Sequence, residues 1–97
     1  MTRKLLVIIN PASGRPKPIL HTLNKVCKRL DVEWDISITK KRGDASRFAR
    51  QAVESGYDIV AVYGGDGSVM EAGQGLVGSQ VPLAILPGGL LILCQLN

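Results

Sequence analysis

The stretch Tyr63-Gly-Gly-Asp-Gly-Ser68 puts three glycines, one carboxylate and one hydroxyl directly behind an apolar run at residues 59–62. Glycine lacks a Cβ, so a ligand can approach its backbone closely and φ can turn positive. A turn between a strand and a helix N-terminus also aims N–H groups outward, and together with the helix dipole these suit phosphate. Ser68 adds a hydroxyl, either as an N-cap or as a phosphate contact. Asp66 is the odd member, because a carboxylate repels phosphate. That repulsion is lifted if a cation lies between them or if a sugar hydroxyl takes the hydrogen bond. The loop therefore points to a magnesium nucleotide more than to a bare anion. A glycine-rich tight turn with Asp66 capping the helix is the plainer alternative. The spacing is neither that of a Walker A loop nor GxGxxG.

A second polar turn, Asn10-Pro11-Ala12-Ser13-Gly14, follows the first apolar run. Asn10 and Ser13 can bond phosphate or their own turn, Gly14 frees the backbone, and Arg15 and Lys17 supply charge beside it. A third, Thr39-Lys40-Lys41-Arg42-Gly43-Asp44, concentrates cations. It is either a solvated loop or a contact for phosphate or a membrane headgroup.

These turns need elements to hold them. Residues 5–9 are continuously apolar and end at Asn10-Pro11, which reads as a buried strand and a turn. Residues 16–30 carry Ile19, Leu20, Leu23, Val26, Cys27 and Leu30 at helical spacing. Val32, Trp34, Ile36 and Ile38 alternate with polar residues, as in a half-buried strand near a sheet edge. Asp44 reads as the N-cap of a helix with the stripe Ala45, Phe48, Ala49, Ala52 and Val53, which Gly56 ends. Residues 59–62 form a third strand, 68–76 a short helix, and 81–86 a fourth strand broken by Pro87-Gly88-Gly89. The order β-α-β-α-β-α-β predicts an α/β fold, a Rossmann-like parallel sheet with flanking helices and right-handed crossovers. Ligands in such folds bind beyond the carboxyl ends of the strands, where all four polar turns would lie.

With 97 residues the chain is one domain at most, and at 45% hydrophobic but 4% aromatic its core is aliphatic. The basic start followed by five apolar residues has no A-x-A-like cleavage site, and no apolar stretch is long enough to span a membrane. Cys27 and Cys94 show neither metal-ligand spacing nor a disulfide framework, so the cytoplasm is the expected compartment. All twelve Lys and Arg fall in residues 1–50, which makes that half +8 and the rest −4. A basic half attracts nucleotide phosphates or an anionic membrane, and peripheral membrane association is an accompanying expectation. Nucleic acid is not expected, because no recognised motif is present and no aromatics interleave the basic patches.

Taken together, NPASG, T-x-x-x-GDA at Thr39 to Ala45, GGDGS-x-x-E at Gly64 to Glu71, and LPGG at Leu86 to Gly89 resemble the catalytic domain of diacylglycerol kinases. This is the bacterial lipid kinase and sphingosine kinase group. GGDG links it more distantly to NAD kinases and phosphofructokinases. The resemblance runs from residue 4 to residue 89. It implies a two-lobed enzyme whose N-terminal, phosphofructokinase-like lobe holds ATP, and whose C-terminal β-sandwich closes the lipid site and supplies the catalytic base. With Mg²⁺, the ATP γ-phosphate would pass to a lipid hydroxyl. Carried over by motif, Asn10, Pro11, Ser13 and Gly14 would contact the phosphates, and Thr39 would lie in the nucleotide site. Gly64, Gly65, Asp66, Gly67 and Ser68 would form the nucleotide loop, with Glu71 one helical turn on. No residue is identified as a metal ligand.

The sequence departs from the family pattern in three places. Ser68 stands where Thr is usual and keeps the hydroxyl. Met70 stands where Asn is common. After LPGG the family continues GGT-x-N, whereas this chain reads GGLLILCQLN. Writing Thr-Ala-Asn-Ile as ACT GCT AAT ATT and deleting the first base gives CTG CTA ATA TTx, which is Leu-Leu-Ile-Leu when the next base is A or G. Residues 1–89 are therefore expected to be the nucleotide-binding lobe and 90–97 an aberrant, out-of-frame tail, with the β-sandwich lobe absent. Alone, the chain is expected to be inactive on lipid and to self-associate through apolar surface. The alternative is a non-catalytic module that binds a nucleotide or an oligomeric partner. His21, Trp34 and Cys27 are expected to be boundary or packing residues, and Cys94 lies in the tail.

Overall fold

The computed structural model describes residues 3–11, 17–86 and 92–94. The elements run β1 (Arg3–Ile9), α1 (Lys17–Leu30), β2 (Val32–Ile38), α2 (Asp44–Glu54), β3 (Ile59–Tyr63), α3 (Asp66–Leu76), β4 (Leu83–Ile85) and β5 (Ile92–Cys94). The sheet order is β2-β1-β3-β4-β5. The first four strands are parallel, as the alternation of strand and helix requires. β5 is an additional strand, antiparallel on β4. The sequence reads as a sheet ending at residue 86, because Pro87-Gly88-Gly89 breaks the fourth strand and the apolar run beyond it reads as an out-of-frame tail.

β1 sits at the centre and is buried on both faces, which is why Leu5 to Ile9 reads as an unbroken apolar run. On one face Leu6 and Ile8 pack with Val60, Val62 and Leu83 under α2 and α3. On the other, Leu5, Val7 and Ile9 pack with Ala61, Ala84 and Leu86 against Leu23 and Cys27 of α1. The aliphatic stripe of α2 is as expected: Ala45, Ala49 and Ala52 are buried, and Phe48 and Val53 pack beside them. These small side chains let α3 approach closely. A Cβ on Gly75 would strike the Ser46 carbonyl oxygen and lie 2.9 Å from Ala49 Cβ.

β2 is the sheet edge. Val32 and Trp34 are half-buried against the α1-side core, but Ile36 and Ile38 are 38% and 53% exposed. On α1, Leu23 and Cys27 are buried, whereas Val26 and Leu30 of the expected stripe are exposed. His21 is exposed.

β4 is shorter than the expected 81–86 and β3 one residue longer than 59–62, and the starts of α2 and α3 also differ from the sequence reading. Asp44 is not an N-cap. Gly43 is, at φ 93°, and Asp44 is the first helical residue. α3 begins at Asp66 rather than Ser68, with extended Gly65 as its N-cap, so Ser68 lies inside the first turn.

Candidate nucleotide-phosphate site

The chain leaves β1 in one direction, through α1 to β2, and then crosses the opposite face through α2 to β3 and through α3 to β4. The strand order thus reverses between β1 and β3, the place where parallel sheets open a crevice beyond their carboxyl ends. Asn10 ends β1 and Gly64 follows β3 at that point. The Asn10 N–H donates to the Tyr63 carbonyl at 2.9 Å, which closes the strands together. Asn10 Nδ2 donates to Ser68 Oγ at 3.0 Å, joining the first polar turn to α3. A Cβ on Gly64 would lie 3.1 Å from Asn10 Cβ and 3.2 Å from Ser68 Oγ, so only glycine fits this approach without displacement.

The crevice is a cleft of about 580 Å³ lined by Asn10 and Pro11, by the segment from Ile38 to Arg42, and by Gly67, Ser68 and Glu71. One wall is the first turn of α3. Its N-cap, Gly65, has no side chain with which to cap that turn. Its N–H groups and the positive end of the helix dipole therefore suit an anion. The other wall carries Lys40, Lys41 and Arg42, three cations against the single lining carboxylate of Glu71.

That basic wall is a tightly bonded turn. Thr39 is buried; its N–H donates to the Ile9 carbonyl at 2.9 Å and its hydroxyl to the same oxygen at 3.4 Å. Asp44 Oδ2 accepts from the N–H groups of Lys40 at 2.8 Å and Lys41 at 3.1 Å. Asp44 Oδ1 takes Arg47 Nη2 at 3.0 Å. Glu71 Oε1 accepts the Gly43 N–H at 2.9 Å, tying the turn to α3. The bond from the Lys40 N–H, then that from Arg47, holds the Asp44 carboxyl below the usual carboxylate range despite its burial.

Six expected site residues therefore meet in one cleft: Asn10, Pro11, Thr39, Gly67, Ser68 and Glu71. Gly64, Gly65 and Asp66 lead into it without lining it, and Asp66 is exposed at the start of α3. Ser13 and Gly14 lie outside the described residues. The reading of the sequence left the role of Lys40-Lys41-Arg42 open, and it gave Asp44 to the helix rather than to the turn before it. Residue type alone was the available signal: an aspartate just after a cationic turn and a glycine.

The donor set fits a polyphosphate. It combines cations, a helix start whose N-cap is glycine, and a glycine that admits close approach. Among the described residues no group of three or more His, Cys, Asp or Glu could hold a metal by itself. Were a magnesium ion to accompany the phosphate, Asp66 at the α3 start would be a carboxylate available to it.

Comparison with known proteins identifies the family and the fold. Residues 4–91 match the family model described as the diacylglycerol kinase catalytic domain. A Streptococcus pneumoniae protein named as a lipid kinase is 40% identical over 91 residues, covering 90% of this chain and 31% of that protein. A diacylglycerol kinase of Staphylococcus epidermidis is 31% identical over 93 residues, covering 92% of this chain and 29% of its own. A Bacillus anthracis crystal structure presented as a diacylglycerol kinase superposes with a TM-score of 0.74 at 32% identity, over 89% of this chain and 30% of that one. The chain thus spans about 30% of the length of the relatives it matches. On its sequence match, its motifs and its fold, this chain belongs to the diacylglycerol kinase catalytic domain family.

Proposed function

We propose that the chain is the ATP-binding lobe of a lipid kinase. The observation that carries this is the cleft at the strand-order switch, where three cations face a helix N-terminus whose N-cap is glycine. Lys40, Lys41 and Arg42 bind and screen the triphosphate from one side. The first turn of α3, with Ser68 held by Asn10, aligns it from the other. Asp66, exposed beside the phosphates, accepts hydrogen bonds from a magnesium-bound water or a ribose hydroxyl. ATP supplies the phosphoryl group: the γ-phosphorus gains a bond to a lipid hydroxyl oxygen and loses its bond to the bridging oxygen, the hydroxyl proton passes to the base of the second lobe, and ADP leaves. Such transfer depends mostly on positioning and charge stabilisation. The residues described here supply the positioning. The base and the lipid site belong to the remainder of a two-lobed enzyme.

An amide NMR titration with Mg-ATP tests this reading. Signals of residues 64–68 and 40–43 should shift, while those of Asp58 and Val81, at the opposite end of the sheet, stay in place. Shifts confined to the α1 face, or none at millimolar Mg-ATP, would remove it.

A further inference from the structure

We infer that Asp44 is a positioning residue for the nucleotide site, acting through the cationic turn and not by touching the ligand. The inference rests on the proposed nucleotide reading of the cleft. Asp44 is 4% exposed, and its carboxylate points back into the turn rather than forward along α2. One oxygen takes the N–H groups of two consecutive residues, Lys40 and Lys41. The other takes Arg47, whose guanidinium in turn lies 4.9 Å over the Phe48 ring. The carboxylate is therefore held from two sides, by the backbone of the preceding turn and by Arg47 one turn along α2.

The bonding has a chemical consequence. The N–H groups of Lys40, Lys41 and Gly43 are all taken by carboxylates, the first two by Asp44 and the third by Glu71. At Lys40 and Lys41 the turn therefore offers an anion its side chains, because the backbone N–H groups there are already occupied. Charge-assisted bonds of this kind are short and directional, so they set where the cations stand. The left-handed Gly43 lets the chain reverse between the two carboxylates. Asp44 is thus a buried anion two residues beyond a cationic wall, and it orders that wall by its backbone while leaving the charges to the ligand.

The test uses the whole chain and the variants Asp44→Asn, Asp44→Glu and Gly43→Ala. Mg-ATP and inorganic tripolyphosphate are titrated at several salt concentrations, with amide exchange of Lys40 and Lys41 followed in parallel. Asp44→Asn should weaken Mg-ATP binding roughly tenfold, the scale of one charge-assisted hydrogen bond misaligned. It should also flatten the salt dependence and speed exchange at the two amides. Asp44→Glu should recover part of the loss. If Asp44→Asn does not fold, Gly43→Ala distorts the same turn without touching the carboxylate, since no atom lies near its Cβ position, and should give the same loss. Unchanged affinity and salt slope in a folded Asp44→Asn chain would overturn the inference while leaving the nucleotide reading intact. Tripolyphosphate binding that depends on Asp44, without ATP binding, would keep the inference and remove the nucleotide. Binding of neither probe by the unaltered chain would overturn both.

Discussion

Gly64 stands beside both Asn10 and Ser68, and its missing Cβ is what leaves room for the bond between them. Gly64→Ala should cost about 1 kcal/mol of stability, because Asn10 and Ser68 must each yield by a few tenths of an ångström. It should also weaken Mg-ATP binding, and urea unfolding with a parallel titration checks both effects. Asp44 adds a pH dependence. Its folded pKa is depressed, first by the Lys40 N–H and then by Arg47, so its stabilisation is complete above the unfolded carboxylate pKa. That stabilisation is lost as pH falls below about 4 and through the lower folded value. The stability gap between the unaltered chain and Asp44→Asn should therefore close on acidification, as unfolding curves from pH 7 to pH 2 will show. A gap that widens in acid would contradict this. The glycine loop and the Asn10 turn were legible in the sequence because their demands are local. Asp44 was not, since a helix-start reading looks forward for N–H partners and this carboxylate looks back. Nor was the Glu71 bond to Gly43, which joins residues 28 apart.

Among the elements, α2 and α3 carry the most exacting contact. Gly75 lies on the Ser46 carbonyl and Ala49 with no space for a methyl group. Gly75→Ala should raise helix propensity yet destabilise the fold by about 2–3 kcal/mol, because backbone must move to admit it. Denaturant unfolding measures this, and a neutral or stabilising result would show that the two helices separate freely. The displaced α3 would also pull Glu71 from Gly43, so nucleotide affinity should fall with stability. Periodicity predicted α2 and the central strands well, because each presents a clean stripe or an unbroken apolar run. It failed where exposure is decided by what lies alongside. Ile36 and Ile38 alternate like buried residues but belong to an edge strand, and Val26 and Leu30 fit the α1 stripe but remain exposed. β5 was missed for a related reason: three apolar residues become a strand only because the free side of β4 accepts them.

For the molecule as a whole, strand order matters more than any single contact. One reversal between β1 and β3 brings three polar turns, distant in sequence, onto one cleft. That outcome was legible, because parallel alternation with right-handed crossovers leaves few other topologies. Among the described residues no helix is long and apolar enough to cross a membrane. The residues after Gly89 carry a separate prediction. Sequencing the gene past the Gly89 codon should show Thr-Ala-Asn in a neighbouring frame, continuing for another lobe's length. A neighbouring frame closed by early stops would contradict the out-of-frame reading of 90–97. The purified chain should bind nucleotide yet form no phospholipid from ATP and diacylglycerol vesicles, and turnover there would place the base within these residues. The most direct measurement is calorimetric titration of the 97-residue chain with Mg-ATP at low and high salt. The account predicts saturable one-to-one binding that weakens as salt screens Lys40, Lys41 and Arg42. Absence of binding at low salt, or binding indifferent to salt and to replacement of those three cations by glutamine, would contradict it.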